Sequence, residues 1–240
     1  MADQGTPAAF AHIEDWIFDL DNTLYPASCR LFDQVDKRIG AYISTLLSLD
    51  EIEARKIQKQ YFRDYGTTLR GLMTRHAVDP HDFLHYVHAI DRSPVCANPA
   101  LGAALDALPG RKFIFTNGSV AHAEAVLERL GIGGRFEDIF DIVAAEFEPK
   151  PQEAPYRRMV ERNRIAAKRA AMIDDLPVNL VPAATLGMTT VLVRTDSQWA
   201  QEAADGNHVH HVIDDLADWL SALAAAPEPA RPSDQRQTGT

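Results

Sequence analysis

Residues 13–20, Ile-Glu-Asp-Trp-Ile-Phe-Asp-Leu, form a short apolar run that ends in carboxylates. That pattern predicts a buried strand delivering side chains to the edge of a sheet. Trp16 and Phe18 alternate with Ile17 and Asp19, which suits a strand covered on both faces. From Leu31 the apolar positions Val35, Ile39, Ile43 and Leu47 recur every four residues with charges between them, the mark of an amphipathic helix. Further helices are predicted over 51–65, 81–90 and 98–108, punctuated by Gly66, Asp79-Pro80 and Ser93-Pro94. After Gly110 the texture changes. Strands over 112–116, 139–144, 169–173 and 189–193 alternate with helices over 119–130, over 152–163 and from Pro177 to Gly187. Strands alternating with helices imply a parallel sheet covered on both faces. The expected fold class is therefore α/β: a Rossmann-like parallel sheet with helices on both faces, plus a helical cap inserted after the first strand. The core would comprise residues 12–25 and 97–224, the cap 26–96, with disordered ends at 1–11 and 225–240.

Composition narrows the function classes. The chain has 240 residues, a length that suits one domain with a large insertion or two modest ones. Its 24 basic and 34 acidic residues give a net charge of −10, so binding to a nucleic-acid backbone is not expected. No apolar stretch is long enough for a membrane span, and the N-terminus lacks a basic region followed by an apolar one. The two cysteines, Cys29 and Cys96, fit no metal or redox spacing, which favours a reduced, cytoplasmic setting. Monomer and homodimer both remain open.

In an open parallel sheet, ligands bind outside the carboxyl ends of the strands. Four predicted strand ends carry reactive groups. Asp19-Leu20-Asp21 sets two acids at a spacing that, in extended chain, puts both on one side. Thr116-Asn117-Gly118 offers a hydroxyl and a permissive backbone suited to an anion. Lys150 lies between Pro149 and Pro151, a cation on a stiffened loop. Asp174-Asp175 follows an apolar run. Carboxylates crowded together repel one another, and a hard cation with oxygen ligands relieves that cost. These groups describe a site for a divalent cation, magnesium by preference, and a phosphoryl group.

Asp19-x-Asp21-x-Thr23, Thr116-Asn117, Lys150 and Asp174-Asp175, in that order, resemble the four motifs of the haloacid dehalogenase superfamily of phosphohydrolases over about residues 12–220. Within it, Asp19-Leu20-Asp21-Asn22-Thr23-Leu24-Tyr25-Pro26 and Tyr65-Gly66-Thr67-Thr68-Leu69-Arg70-Gly71-Leu72 are similar to the pyrimidine 5′-nucleotidase group. The resemblance implies that Asp19 is the nucleophile and Asp21 the acid and base. Thr116 and the amide of Asn117 would hold phosphoryl oxygens, and Lys150 would offset negative charge. Asp19, the backbone carbonyl of Asp21, and Asp175 would ligate magnesium, with Asp174 a further candidate ligand and Asn179 a supporting group. Relatives that act as dehalogenases lack an acid at the position of Asp21, so its presence argues for phosphate chemistry.

The expected substrate is a small phosphate ester, a pyrimidine nucleoside 5′-monophosphate by preference, with a sugar phosphate or phosphoglycolate as the alternative. A non-catalytic module on the same scaffold is the rival of another class, although none of the motif acids is missing. The cap would close over the phosphate on hinges near Pro26 and 97–99. Tyr25, Phe32, Thr67, Thr68 and Arg70 are candidates to face the leaving group, with Arg70 pairing to a carbonyl or phosphate. His208, His210 and His211 have no obvious acidic partner and lead into a late strand, so they are read as structural.

Overall fold

The structure, a computed structural model, describes residues 6–195 and 206–225. Pro7–Phe10 form a short helix, α1, and Asp15–Phe18 the first strand, β1. Disorder over 1–11 therefore needs correcting for the described part. Phe10 is buried, its ring centroid 6.1 Å from Trp16, 5.1 Å from Trp219 and 4.8 Å from His211. A lone aromatic among small residues has no period to read, yet it anchors the segment once a pocket of rings receives it. Residues 1–5 and 226–240, which bear the rest of the expected disorder, lie outside the described residues.

Four helices follow β1: α2 (Leu31–Leu47), α3 (Glu51–Tyr65), α4 (Thr68–His76) and α5 (Pro80–Val87). The spacing of apolar residues did not predict α4. Gly66 ends α3 at φ +83°, and the Thr67 hydroxyl accepts from the Arg70 N–H to open the next helix at once. A Cβ on Gly66 would also stand 3.3 Å from Pro149, so the turn needs glycine for its space as well as its angle. Asp79 caps α5, accepting from the N–H groups of His81 and Asp82, with Pro80 at the first helical position. The four helices share a core of Val35, Ile43, Leu72 and Phe83, into which Ile142 also packs.

The chain continues through α6 (Pro99–Ala107), β2 (Arg111–Phe115), α7 (Val120–Leu130), β3 (Asp138–Phe140), α8 (Glu153–Arg162) and β4 (Ala170–Asp174). It closes with α9 (Pro177–Thr185), β5 (Thr189–Val193), β6 (His211–Ile213) and α10 (Leu216–Ala224). Strand β3 is shorter than the expected 139–144. The Asp141 carboxylate accepts from the N–H groups of Val120 and Ala144 and turns the chain out of the sheet. All pairings are parallel and the strand order is β3-β2-β1-β4-β5-β6, so the sheet is Rossmann-like as expected. Trp16 and Phe18 face a core shared with Ile114, Leu127, Ile173 and Trp219, while Ile17 faces Phe113, Phe115, Met172 and Leu180. Among the described residues no helix is long and apolar enough to cross a membrane. His210 Nδ1 accepts from the Thr190 N–H at 3.0 Å, which ties β5 to the approach to β6.

Candidate active site

Strand β1 lies between β2 and β4, with Phe18 in register with both Ile114 and Ile173. Asp19, Thr116 and Asp174 therefore emerge at one edge of three adjacent strands. Lys150 closes the set: its Nζ donates to Asp19 Oδ1 and to Asp174 Oδ2, each at 2.7 Å. All three side chains are buried, and the ammonium also sits 5.1 Å from the centroid of Phe115. Asp174 is saturated. Its oxygens additionally accept from the Leu176 N–H at 2.9 Å and from Asn179 Nδ2 at 3.0 and 3.2 Å. Asn179 is itself held, because Tyr156 donates to its backbone carbonyl at 2.6 Å. Asn179 thus orients a site carboxylate without facing the site's open side.

Asp19 Oδ2 accepts from the Thr23 hydroxyl at 3.2 Å, while Asp175, also buried, has no hydrogen-bond partner among the described residues. Asp19, Asp174 and Asp175 each bring an oxygen within 4.8 Å of the others. Burial raises the Asp19 carboxyl well above its ordinary range, with Asp174 and Asp21 adding to the effect and Lys150 opposing it. Asp175 is raised in the same direction by burial, then by Asp174 and Asp19. Burial would lower Lys150, but the charges of Asp174 and Asp19 outweigh it and raise the ammonium above its usual value. Three buried acids around one ammonium leave an excess of negative charge in an all-oxygen donor set. Such a set fits a hard divalent cation.

The loop after β2 is fastened to the Lys150 loop by one side chain. Asn117 Oδ1 accepts from the Lys150 N–H at 2.8 Å and its Nδ2 donates to the Lys150 carbonyl at 3.2 Å. The side-chain oxygen and one Nδ2 hydrogen are spent on that clamp, and the main-chain N–H of Asn117 is the donor the loop presents to an anion. Thr116 Oγ1 accepts from the Gly118 N–H at 2.9 Å, which leaves its own hydrogen free to donate.

Asp21 sits beside this loop, partly accessible. Its Oδ1 accepts from the Tyr25 hydroxyl at 2.6 Å and from His122 Nε2 at 2.9 Å. Burial would raise this carboxyl, but the charge and hydrogen bond of His122 reverse that and bring it down to about 2. His122 lies on the first turn of α7, where Ser119 is the N-cap, and stacks on His88 from the end of α5. Burial, then His122, holds His88 down to about 3.

The residues expected to face a leaving group divide. Tyr25 is buried against Asp21, and Thr68 donates to the Gln58 carbonyl inside the helical unit. Thr67 caps α4, and Phe32 is exposed. Arg70 reaches Glu148 at 3.9 Å, two residues before Lys150, at the junction of helical unit and sheet. His122, Asp141 and the orienting roles of Asn117 and Asn179 were not apparent from sequence. The one available signal for His122 was its place on the opening turn of the helix that follows Thr116-Asn117-Gly118, where side chains point back towards the strand ends.

The chain is 27% identical over 195 residues to Phosphate metabolism protein 8 of Saccharomyces cerevisiae, covering 74% of this chain but only 60% of that protein. It is 26% identical over 229 residues to a phosphoglycolate phosphatase of Rhodospirillum rubrum, 85% of this chain and 89% of that enzyme. Among solved structures it resembles CbbY of Rhodobacter sphaeroides in complex with xylulose 1,5-bisphosphate, with a TM-score of 0.60 and 18% identity over 86% of this chain and 96% of that one. A phosphatase from Thermococcus onnurineus superposes with a TM-score of 0.56 and 16% identity over 84% and 93%. At these identities the structural likeness is one of fold. The haloacid dehalogenase-like hydrolase family matches residues 16–187, a span that carries all four strand-end loops, and the chain belongs to that family.

Proposed function

We propose that the protein is a magnesium-dependent phosphomonoesterase working through an aspartyl-phosphate on Asp19. The observation that carries this reading is Asp21, held beside the Asp19 loop with one carboxylate oxygen engaged and the other available for proton transfer. Asp19 attacks phosphorus, Asp21 protonates the departing ester oxygen, and the same carboxylate then deprotonates the water that releases phosphate. Thr116 and the Asn117 N–H hold phosphoryl oxygens, and Lys150 fixes Asp19 against Asp174 while balancing charge. Asp19, the backbone carbonyl of Asp21, and Asp175 would hold magnesium. Asp174 is the weaker candidate, because Lys150, Asn179 and the Leu176 N–H already engage both its oxygens. The cation supplies neutralisation of phosphoryl charge.

For the substrate, the stretches Asp19–Pro26 and Tyr65–Leu72 support pyrimidine nucleoside 5′-monophosphates. The match to a phosphoglycolate phosphatase over 89% of its length favours a second reading, a small phosphorylated acid or sugar. A magnesium-supplemented screen of UMP, CMP, purine monophosphates, phosphoglycolate and sugar phosphates separates the two. Asp19→Asn should cut turnover of the best substrate by about a thousandfold or more. A variant within a few-fold of the parent would rule out the covalent route. Arg70→Ala should lower kcat/KM for nucleotides by about tenfold to a hundredfold, the worth of one charge-assisted hydrogen bond, and spare p-nitrophenyl phosphate. Equal losses on both substrates would reject a recognition role for Arg70.

A further inference from the structure

Asp21 uses its two oxygens unequally. Oδ1 takes both hydrogen bonds, from Tyr25 at 2.6 Å and from His122 at 2.9 Å, whereas Oδ2 faces the space left by the missing side chain of Gly118. A Cβ at Gly118 would stand 3.9 Å from Asp21 Oδ2, 3.2 Å from Thr116 Oγ1 and 3.2 Å from His122 Cδ2. That space therefore adjoins the Thr116 hydroxyl, where a phosphoryl group would sit. A carboxylate only accepts, so Nε2 of His122 carries the shared hydrogen.

His122 is a costly residue for its position. Its side chain is 1% exposed, and its other ring nitrogen, Nδ1, has no partner among the described residues. Burying a polar ring with half its hydrogen-bonding capacity unmet is unfavourable, and an aliphatic residue would fill the same helix face without that penalty. The ring is nonetheless firmly seated. His88 stacks on it at 4.4 Å between centroids and 16° between planes, and His88 Nδ1 pairs with Ser119 Oγ at 3.0 Å. Among the described residues the only polar contact of the His122 ring is with Asp21.

We propose that His122, together with Tyr25, is a positioning residue that pins Asp21 Oδ1 and thereby aims Oδ2 at the leaving oxygen. This rests on the phosphomonoesterase reading of the site. In the first half-reaction Asp21 Oδ2 takes up a proton from solvent as the phosphate dianion binds beside it and offsets the pull of His122; the bond from Asp19 to phosphorus then forms, the bond from phosphorus to the ester oxygen breaks, and that proton passes to the ester oxygen. In the second, Oδ2 takes a proton from water as the water oxygen attacks phosphorus, and Asp19 leaves as a carboxylate. Both transfers use one oxygen in one place, so an aim fixed from Oδ1 serves each of them. His88 comes from the inserted helices, so the seat of His122 is complete only when they are docked on the sheet.

The test separates esters that need a proton donor from those that do not. Rapid-quench first turnovers with magnesium are compared for the parent, His122→Leu, His122→Gln and Tyr25→Phe, on p-nitrophenyl phosphate and on the best alkyl monoester from the screen. Removing the N–H donor should slow phosphoryl transfer from the alkyl ester about a hundredfold, while the burst of p-nitrophenolate falls less than about tenfold and KM hardly moves. His122→Gln, which keeps an N–H near the same place, should recover most of the loss. Tyr25→Phe, nearly isosteric, should show the same preference for the aryl ester, and it decides the matter if His122→Leu does not fold. Equal losses on both esters, or no loss on either, would overturn the proposal while leaving the phosphatase reading intact. A parent inactive on every ester would overturn both.

Discussion

At the residue scale the site is an arrangement of charges that would be unstable apart. Lys150 bridges Asp19 and Asp174 in surroundings that exclude water, and removing one partner of such a buried group exposes the others to uncompensated desolvation. Lys150→Met should therefore lower the unfolding free energy at neutral pH by about 3–5 kcal/mol, measured by urea denaturation of the metal-free protein. An unchanged midpoint would mean that the three groups do not form this network in solution. The site residues themselves were legible in the sequence, since Asp-x-Asp, Thr-Asn and Asp-Asp each follow a predicted strand and a lone lysine between prolines stands in the loop after another. What each side chain bonds to was not. The sequence marked Asn117 as a group for an anion, and only the position of the Lys150 backbone reveals that its side chain clamps a loop.

At the scale of elements, caps and turns explain both the successes and the misses. Asp79-Pro80, Ser119 and Gly131 mark helix ends by local hydrogen bonding and backbone preference, and those ends fall within a few residues of expectation. The misses are elements held by partners distant in sequence. Helix α4 follows α3 across a turn packed on Pro149, strand β3 ends where Asp141 reaches Val120, and α1 exists because Trp16 and Trp219 receive Phe10. Phe10→Ala should accordingly destabilise the protein by about 3–5 kcal/mol in chemical unfolding, as for a core aromatic. A loss below about 0.5 kcal/mol would fit a segment that contributes no packing.

For the whole molecule, crowded buried acids make stability depend on pH and on cations. Asp19 and Asp175 have raised values in the folded protein, so their contribution is full below the ordinary carboxylate pKa and is lost as the pH rises through the raised values. His88 acts oppositely: its lowered value means that stability is lost as the pH falls below the ordinary histidine value of about 6.5. Above about pH 6.5 the His88 effect is spent, and the melting temperature of the metal-free protein should fall with further increase in pH. Added magnesium should reverse that fall, and more strongly at pH 8 than at pH 5, because fewer protons then have to leave the acids it needs. A metal-free melting temperature that climbs across the same range would contradict the burial of these acids. Hydrophobic periodicity and residue order along the chain were enough to specify a parallel α/β sheet, a helical insertion after its first strand, and four strand ends bearing acids, a hydroxyl and an ammonium, because those are properties of local repeat and sequence position. Which oxygen of Asp21 is held and which is open, that Asn179 braces Asp174, and that a histidine from the inserted helices backs one on α7 were decided by tertiary structure alone, since each depends on the direction in which a side chain meets its partner.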